Sequence, residues 1–183
     1  VVFIVYQDLY LLNQLFTFLV PALILAFLLF RRKAGKYLQL ERRPSLRQVG
    51  LGMLFMLAVF PLAQFLYQWN RKLPLPDWMI QQEDSINELI QTLLVAEGLS
   101  ELFFNLILIG LIPALGEELL FRGIVQKELG RWLRSGVAAV WVAAVIFSTV
   151  HFQFQGFFPR LVLGAALGYL FYWTGNLWVP ILA

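Results

Sequence analysis

Long apolar runs separated by short polar segments dominate the chain. A helix needs about 20 mostly apolar residues to cross the hydrocarbon core of a bilayer. The runs that we predict to be membrane-spanning helices are Leu9–Phe30, Val49–Tyr67, a third from about Leu102 to Val125, Val137–Val150 and Phe157–Trp173. Leu177–Ala183 is similar to the beginning of a sixth. The pattern therefore predicts an all-α fold, a polytopic transmembrane helical bundle of about five spans and the start of a sixth.

The segment between the second and third spans has a different pattern. Its apolar residues recur at the i, i+3, i+4, i+7 and i+8 positions of a helix, at Ile86, Leu89, Ile90, Leu93 and Leu94. This spacing is typical of an amphipathic helix, and we expect it to lie on the membrane interface or to cover the bundle. The chain then divides into residues 1–70 with two spans and a basic loop, residues 71–98, and the core at residues 99–183.

Composition and charge agree with a membrane location. Hydrophobic residues make up 60% of the chain and charged residues only 14%, whereas a soluble domain usually has about 25% charged residues. Residues 31–48 hold seven Lys or Arg and one Glu, while residues 70–101 have a net charge of −4. The positive-inside rule places the basic loop 31–48 in the cytoplasm. The basic clusters therefore indicate topology, and we expect no nucleic acid among the partners.

A charge inside or at the end of a membrane span is costly and usually faces a cavity or a partner. We single out four such residues as candidates for chemistry. They are Glu117, Glu118, Arg122 and His151. Glu118 and Arg122 are four residues apart, so on a helix they share a face and can form an ion pair. Glu117 lies about 100° around the helix from Glu118 and has no cation on its own face. His151 follows on the next predicted span.

Several known hydrolytic sites are excluded by the residue inventory. The chain has no Cys and a single His, which rules out a cysteine nucleophile and the two-His zinc motif H-E-x-x-H. No pair of Asp residues lies within the apolar centres. Ser148 could form a dyad with His151, although a spacing of three residues on one helix is more typical of local hydrogen bonding. A carboxylate-plus-imidazole site that activates water remains.

The run Glu117-Glu118-x-x-x-Arg122, followed by Phe147-x-x-x-His151, resembles the first two signatures of the CPBP family. That family groups type 2 CAAX prenyl proteases with bacteriocin-processing and self-immunity membrane proteins. The resemblance covers residues 99–183 and includes the next helix, with its two glycines, and the segment 172–183. The family's last signature, His-x-x-x-Asn or His-x-x-x-Asp, would begin directly after residue 183, so we expect the natural protein to be longer.

The resemblance implies an intramembrane endopeptidase. Glu117 would activate the hydrolytic water, Glu118 and Arg122 would hold their helix in register, and His151 would bind the water, a metal or the developing oxyanion. Zinc or another divalent metal could be held by Glu117 and His151, but a metal-free glutamate–water mechanism is equally compatible with the residues. Catalytic zinc sites normally have three protein ligands, which favours the metal-free version.

The resemblance also suggests the surroundings of the protein. We expect an integral protein of a bacterial inner membrane, with membrane lipid and a hydrophobic or lipidated peptide substrate as its partners. The substrate would be a prenylated CAAX tail, a peptide pheromone, a bacteriocin leader or a signal-peptide remnant.

Other interpretations stay open from the residues alone. The Glu118–Arg122 pair could serve only helix packing, with Glu117 facing a cytoplasmic vestibule. A non-catalytic membrane protein that binds a peptide, or a bacteriocin self-immunity protein of the same fold, would retain the same helices. A proton or ion path would need a polar track across the bundle, and the predicted spans offer little beyond Asn105 and Thr149.

Overall fold

The computed structural model describes residues 11–13, 15–94 and 98–183, and the elements in this part of the chain are helical. The all-α prediction is confirmed for these residues. In chain order the helices are α1 (Val20–Phe30, after a π-helical turn at Leu15–Leu19), α2 (Ala34–Tyr37, after a 3₁₀ turn at Arg31–Lys33), α3 (Leu46–Asn70), α4 (Asp77–Leu94), α5 (99–133), α6 (Gly136–Val150), α7 (Phe157–Thr174) and α8 (Trp178–Leu182).

Two segments of the described chain, Leu11–Leu28 and Leu46–Asn70, are long and apolar enough to cross a membrane, and α6 is a shorter apolar helix. Residues 9, 10 and 14 of the first predicted span lie outside the described residues. On α3 the exposed side chains include Leu54, Leu57 and Phe65, which is the surface expected of a helix in contact with lipid. The total of five or six spans stays a prediction.

Helix α5 is continuous but irregular. Its α-helical parts, Leu99–Leu106, Ile112–Glu117 and Lys127–Leu133, alternate with π-helical parts at Ile107–Leu111 and Glu118–Gln126. Pro113 lacks a backbone N–H and crowds the preceding turn, and the first π-helical part directly precedes it. Wide turns of this kind are frequent at functional sites. The second one begins immediately after Glu117.

Small residues allow α7 to pack closely against its neighbours α3 and α6. A Cβ atom on Gly164 would lie 3.0 Å from Cδ1 of Phe147, and one on Gly168 would lie 2.9 Å from Oε1 of Gln126. The two glycines of the G-x-x-x-G pattern therefore bring α7 against both α5 and α6, as close helix packing requires. The buried core around them includes Val140, Ala144 and Ala165.

The amphipathic helix α4 lies against the loop between α6 and α7. The Glu83 carboxylate is buried and accepts a hydrogen bond from the backbone N–H of Gln155 at 2.7 Å. The rings of Trp78 and Phe154 meet edge to face, with their centroids 5.7 Å apart. Burial raises the pKa of Glu83, although the Gln155 N–H acts in the opposite direction. Of the two predicted locations for this helix, the observed contacts agree with a cover over the bundle.

The segment that joins α1 to α3 is held against the end of the chain. Nδ2 of Asn176 donates to the backbone carbonyl of Arg42, and Nε1 of Trp178 donates to that of Leu40, both at 2.9 Å. Leu38 is buried against α5, where a Cβ atom on Gly123 would lie 2.7 Å from its Cδ2 atom. The basic segment is therefore a folded part of the bundle.

Candidate catalytic site

Glu117 and His151 come together in the structure, although 33 residues separate them in the sequence. Oε1 of Glu117 lies 3.6 Å from Nε2 of His151, and the two side chains are 19% and 20% exposed, respectively. Glu117 ends an α-helical part of α5, and His151 is the C-cap residue directly after α6. The acid and the imidazole predicted from the sequence thus face each other at the edge of the bundle, with limited access from outside.

The orientation of the imidazole is set by its other nitrogen. Nδ1 of His151 lies 2.7 Å from the backbone carbonyl oxygen of Phe147, one turn earlier on α6. Because a carbonyl oxygen only accepts hydrogen bonds, Nδ1 carries the proton, and Nε2 is the atom turned towards Glu117. In the pattern Phe-x-x-x-His, the backbone carbonyl of the Phe therefore accepts the hydrogen bond that orients the imidazole of the His.

Aromatic rings surround the imidazole. Phe18 stacks on His151 with a centroid distance of 5.9 Å and an interplanar angle of 20°, and the Phe147 ring meets the imidazole edge-on at 4.7 Å. Phe121 completes the wall, with its ring 5.0 Å from that of Phe147. Apolar rings around an ionisable group lower the local dielectric constant and strengthen its electrostatic interactions.

The predicted pair between Glu118 and Arg122 is confirmed. Their charged atoms are 2.7 Å apart, and both side chains are almost fully buried. Nη2 of Arg122 also donates to the carbonyl of Gly164 at 2.9 Å, and the guanidinium lies 4.8 Å from the centre of the Phe147 ring. Arg122 thus joins α5 to both α6 and α7. Its side chain is only 2% exposed, so it is placed to support the site rather than to meet a substrate.

Side chains that could hold a metal ion are few among the described residues of this site. Glu117 and His151 would supply two ligands, and within the described residues no group of three or more His, Cys, Asp or Glu side chains is placed to hold a metal. A catalytic zinc site normally has three protein ligands.

The structure also separates Ser148 from His151. The Ser148 hydroxyl is buried and donates to the backbone carbonyl of Phe157 at 2.6 Å. This hydrogen bond ties the end of α6 to the start of α7. A serine–histidine dyad, which needs the hydroxyl to donate to the imidazole, is absent from this site.

Two residues near the site were missed by sequence reasoning. Arg160 lies in the first turn of α7, after the loop that begins at His151, and its guanidinium donates to the backbone carbonyl of Gln153 at 3.3 Å. A cation inside a predicted span is itself a signal, because such residues usually face a cavity or a partner. Phe18 gave no signal in the sequence, since nothing distinguishes it from the other phenylalanines of the first apolar run.

A family match covers Glu117, Glu118, Arg122 and His151. Residues 99–183 match the model of the family described as "Type II CAAX prenyl endopeptidase Rce1-like". The curated protein YpbD of Bacillus subtilis (strain 168), which is described as uncharacterized, is 34% identical over 83 residues, or 43% of this chain and 39% of the relative. The match thus spans about two fifths of that relative's length. No solved structure matches.

Proposed function

Because residues 99–183 match the model of the Rce1-like type II CAAX prenyl endopeptidase family, we propose that the protein is an intramembrane endopeptidase that uses Glu117 to activate water. The observation that carries the proposal is the 3.6 Å approach of the Glu117 carboxylate to the single His of the chain. General bases must lie within reach of the proton that they remove, directly or through one water. The neighbouring Glu118 is already paired with Arg122, which leaves Glu117 as the available base.

The reaction follows from these groups. Glu117 takes a proton from a water molecule while the water oxygen forms a bond to the carbonyl carbon of the scissile peptide. Nε2 of His151 orients that water, since Nδ1 is already occupied by the Phe147 carbonyl. When the tetrahedral intermediate collapses, the C–N bond breaks and the proton on Glu117 passes to the leaving nitrogen. The products are a carboxylic acid and an amine, and Glu117 returns to its charged state.

We propose a hydrophobic or lipidated peptide as the substrate and membrane lipid as the surroundings of the site. The apolar helices and the name of the matched family, which specifies a prenylated CAAX sequence, support this substrate class. The bacterial source of one relative supports a bacterial inner membrane. The concentration of Lys and Arg in residues 31–48 supports a cytoplasmic position for that loop.

A divalent metal bound by Glu117 and His151 is the other version of the mechanism. A catalytic zinc site normally uses three protein ligands, of which the described residues would supply two, Glu117 and His151. In the metal-free version, Glu117 acts directly on the water.

Substitution of the base tests the proposal. The protein is expressed from its complete coding sequence, reconstituted in liposomes, and supplied with an S-farnesylated CAAX peptide that carries a fluorophore and a quencher on either side of the cleaved bond. A parallel assay uses the same peptide without the farnesyl group. Glu117→Gln should abolish cleavage, because an amide cannot take up the proton. Glu128→Gln, a change on the same helix outside the site, should retain it.

Two results would count against the proposal. Hydrolysis that continues in folded Glu117→Gln protein would show that Glu117 is not the general base. Tight peptide binding by the wild-type protein, without cleavage of either peptide, would instead favour a non-catalytic peptide-binding or self-immunity protein.

A further inference from the structure

Two neighbouring cavities lie where the basic segment 31–48 packs against the bundle. The first, of about 200 Å³, lies between the end of α5, the start of α6 and the end of α7, and its lining includes Gln39, Gln126 and Lys127. The second, of about 300 Å³, is lined by Lys36, Gln39, Glu41, Arg42 and Gly175. Gln39 belongs to both walls, so the cavities adjoin each other. Neither wall includes Glu117 or His151.

The wall that the basic segment contributes is held in place by the end of the chain. The backbone carbonyls of Gln39, Leu40 and Arg42 each accept a hydrogen bond from residues 176–178. Gln39 has a left-handed backbone, with a φ of 59°, which a residue with a Cβ atom adopts only at a cost. A ligand would meet a wall that is already ordered, which lowers the entropy cost of binding.

Cations outnumber carboxylates in these walls. Lys36, Arg42 and Lys127 face one carboxylate, that of Glu41. None of the three cations forms an ion pair among the described residues. The Lys127 ammonium donates to the backbone carbonyl of Tyr37, and an ammonium group has two further N–H groups to offer. An anionic group would therefore be attracted to the cavities.

The first cavity also has a buried amide in its wall. Gln126 is only 5% exposed, and its Nε2 atom donates to the backbone carbonyl of Gly168 at 3.0 Å. Its Oε1 atom has no hydrogen-bond donor within the described part of the chain. Because buried polar atoms are normally paired, a ligand with an O–H group would satisfy this amide.

Aromatic side chains beside the cavities indicate their depth in the membrane. Tyr172 lines the first cavity and is exposed. The ring of the next residue, Trp173, stacks on Tyr169 with a centroid distance of 5.2 Å, and Nε1 of Trp141 donates to the Tyr169 hydroxyl at 3.1 Å. Both tryptophans are exposed. Trp and Tyr are enriched where hydrocarbon meets water, so the cavities lie at the level of the lipid headgroups.

We propose that the two cavities bind the headgroup of an anionic phospholipid that carries hydroxyl groups, as phosphatidylglycerol does. The phosphate receives hydrogen bonds from Lys36, Arg42 and Lys127, and a headgroup hydroxyl donates to Gln126. Basic pockets between membrane helices bind anionic headgroups in this way. Phosphatidylcholine has neither a net charge nor a hydrogen-bond donor in its headgroup, so it lacks both features. The site is separate from the proposed peptidase site and does not depend on its activity.

Equilibrium binding of fluorescent phosphatidylglycerol to the full-length protein, in uncharged dodecyl maltoside micelles, tests the proposal. One Lys or Arg beside an anionic lipid raises affinity about fivefold. Lys36→Gln/Arg42→Gln should therefore weaken phosphatidylglycerol binding about 25-fold and change phosphatidylcholine binding by less than about twofold. Wild-type protein should prefer phosphatidylglycerol over phosphatidylcholine by at least about 25-fold.

Arg43→Gln/Arg47→Gln is the matched control. It removes two cations from the same segment, at exposed positions outside both walls. Exposed charges away from the ligand are screened, so phosphatidylglycerol affinity should change by less than about threefold. The melting temperature gives a second readout without the fluorophore, because phosphatidylglycerol should raise it in wild type and in the control, and not in Lys36→Gln/Arg42→Gln.

Three results would overturn the proposal. Equal losses of affinity in the two double variants would mean a general attraction between the basic segment and anionic lipid. Equal binding of phosphatidylglycerol and phosphatidylcholine by the wild-type protein would remove the selectivity for an anionic headgroup. Displacement of the fluorescent lipid by glycerol 3-phosphate or inorganic phosphate, at concentrations as low as those of unlabelled phosphatidylglycerol, would assign the cavities to a free phosphate compound instead of a lipid.

Discussion

The buried pair Glu118–Arg122 should be worth more to the fold than its single ion pair suggests. Replacing Arg122 with Met leaves the Glu118 carboxylate buried without its cation. It also removes the donor to the Gly164 carbonyl and the contact of the guanidinium with Phe147. Removal of one partner of a buried pair costs about 3–5 kcal/mol. The additional loss of the Gly164 hydrogen bond puts Arg122→Met at the upper end of that range.

The double variant Glu118→Leu/Arg122→Met should be more stable than either single variant. No uncompensated charge remains, and what is lost is the hydrogen bond from Arg122 to the Gly164 carbonyl, which lies inside α7. A hydrogen bond from a charged donor is worth about 1.5–3 kcal/mol. The two substitutions should therefore be coupled by at least about 2 kcal/mol, in the range seen for residues in direct contact. As a control, Arg131→Met breaks the exposed pair with Glu128 and should cost less than about 1 kcal/mol.

Unfolding by sodium dodecyl sulfate in dodecyl maltoside micelles, followed by far-ultraviolet circular dichroism, gives the free energies of unfolding for this cycle. Strictly additive effects of the two single substitutions would refute the reasoning, because they would mean that the charges do not depend on each other. A cost for Arg122→Met as small as that for Arg131→Met would refute it equally.

Two other substitutions test the surroundings of the site. Gly164→Ala places a Cβ atom 3.0 Å from Cδ1 of Phe147. The overpacking cost of about 1–3 kcal/mol should exceed the gain of about 1 kcal/mol in helix propensity, so the variant should be less stable in the same denaturation assay. A more stable variant would contradict the close packing. Burial raises the pKa of Glu83. The contribution of this carboxyl group to stability is therefore complete below its unfolded-state pKa and is lost as the pH rises through its folded-state pKa. Glu83→Gln, whose amide oxygen can still accept from Gln155, should raise the melting temperature relative to wild type at pH 8, and this difference should shrink towards pH 4.

The ends of a helix could be predicted from the sequence where they coincide with the ends of an apolar run. Val137–Val150 and Phe157–Trp173 each differ by one residue from the observed Gly136–Val150 and Phe157–Thr174. Ser135 caps the first of these by accepting from the backbone N–H of Ala138, and Gly175 ends the second in the left-handed conformation. Both residue types are common at those positions.

The third span shows the limit of this reasoning. The prediction from about Leu102 to Val125 follows the apolar residues, whereas α5 continues to Leu133. The last two turns are polar on one side and carry the ion pair between Glu128 and Arg131. Hydropathy marks the part of a helix that contacts apolar surroundings, and the backbone hydrogen bonds continue beyond it.

The site was predictable only in its local parts. The Glu118–Arg122 contact follows from a spacing of one helical turn. The approach of Glu117 to His151 depends on how α5 and α6 cross, which no spacing within one helix determines. The contact of Arg160 with Gln153 likewise depends on how the loop after His151 turns back, which the apolar pattern does not determine.

The position of Phe18 determines which segments must be moved together if the site is transferred to another protein. A Cβ atom on Gly116 would lie 3.0 Å from the backbone nitrogen of Leu19, so the first helix meets α5 directly beside Glu117 and lays the Phe18 ring on the imidazole. The family match begins only at residue 99. A chimaera that grafts residues 99–183 onto unrelated leading helices would carry the acid and the imidazole but lose this covering ring. The unit that must be exchanged as a whole is larger than the segment that is similar in sequence.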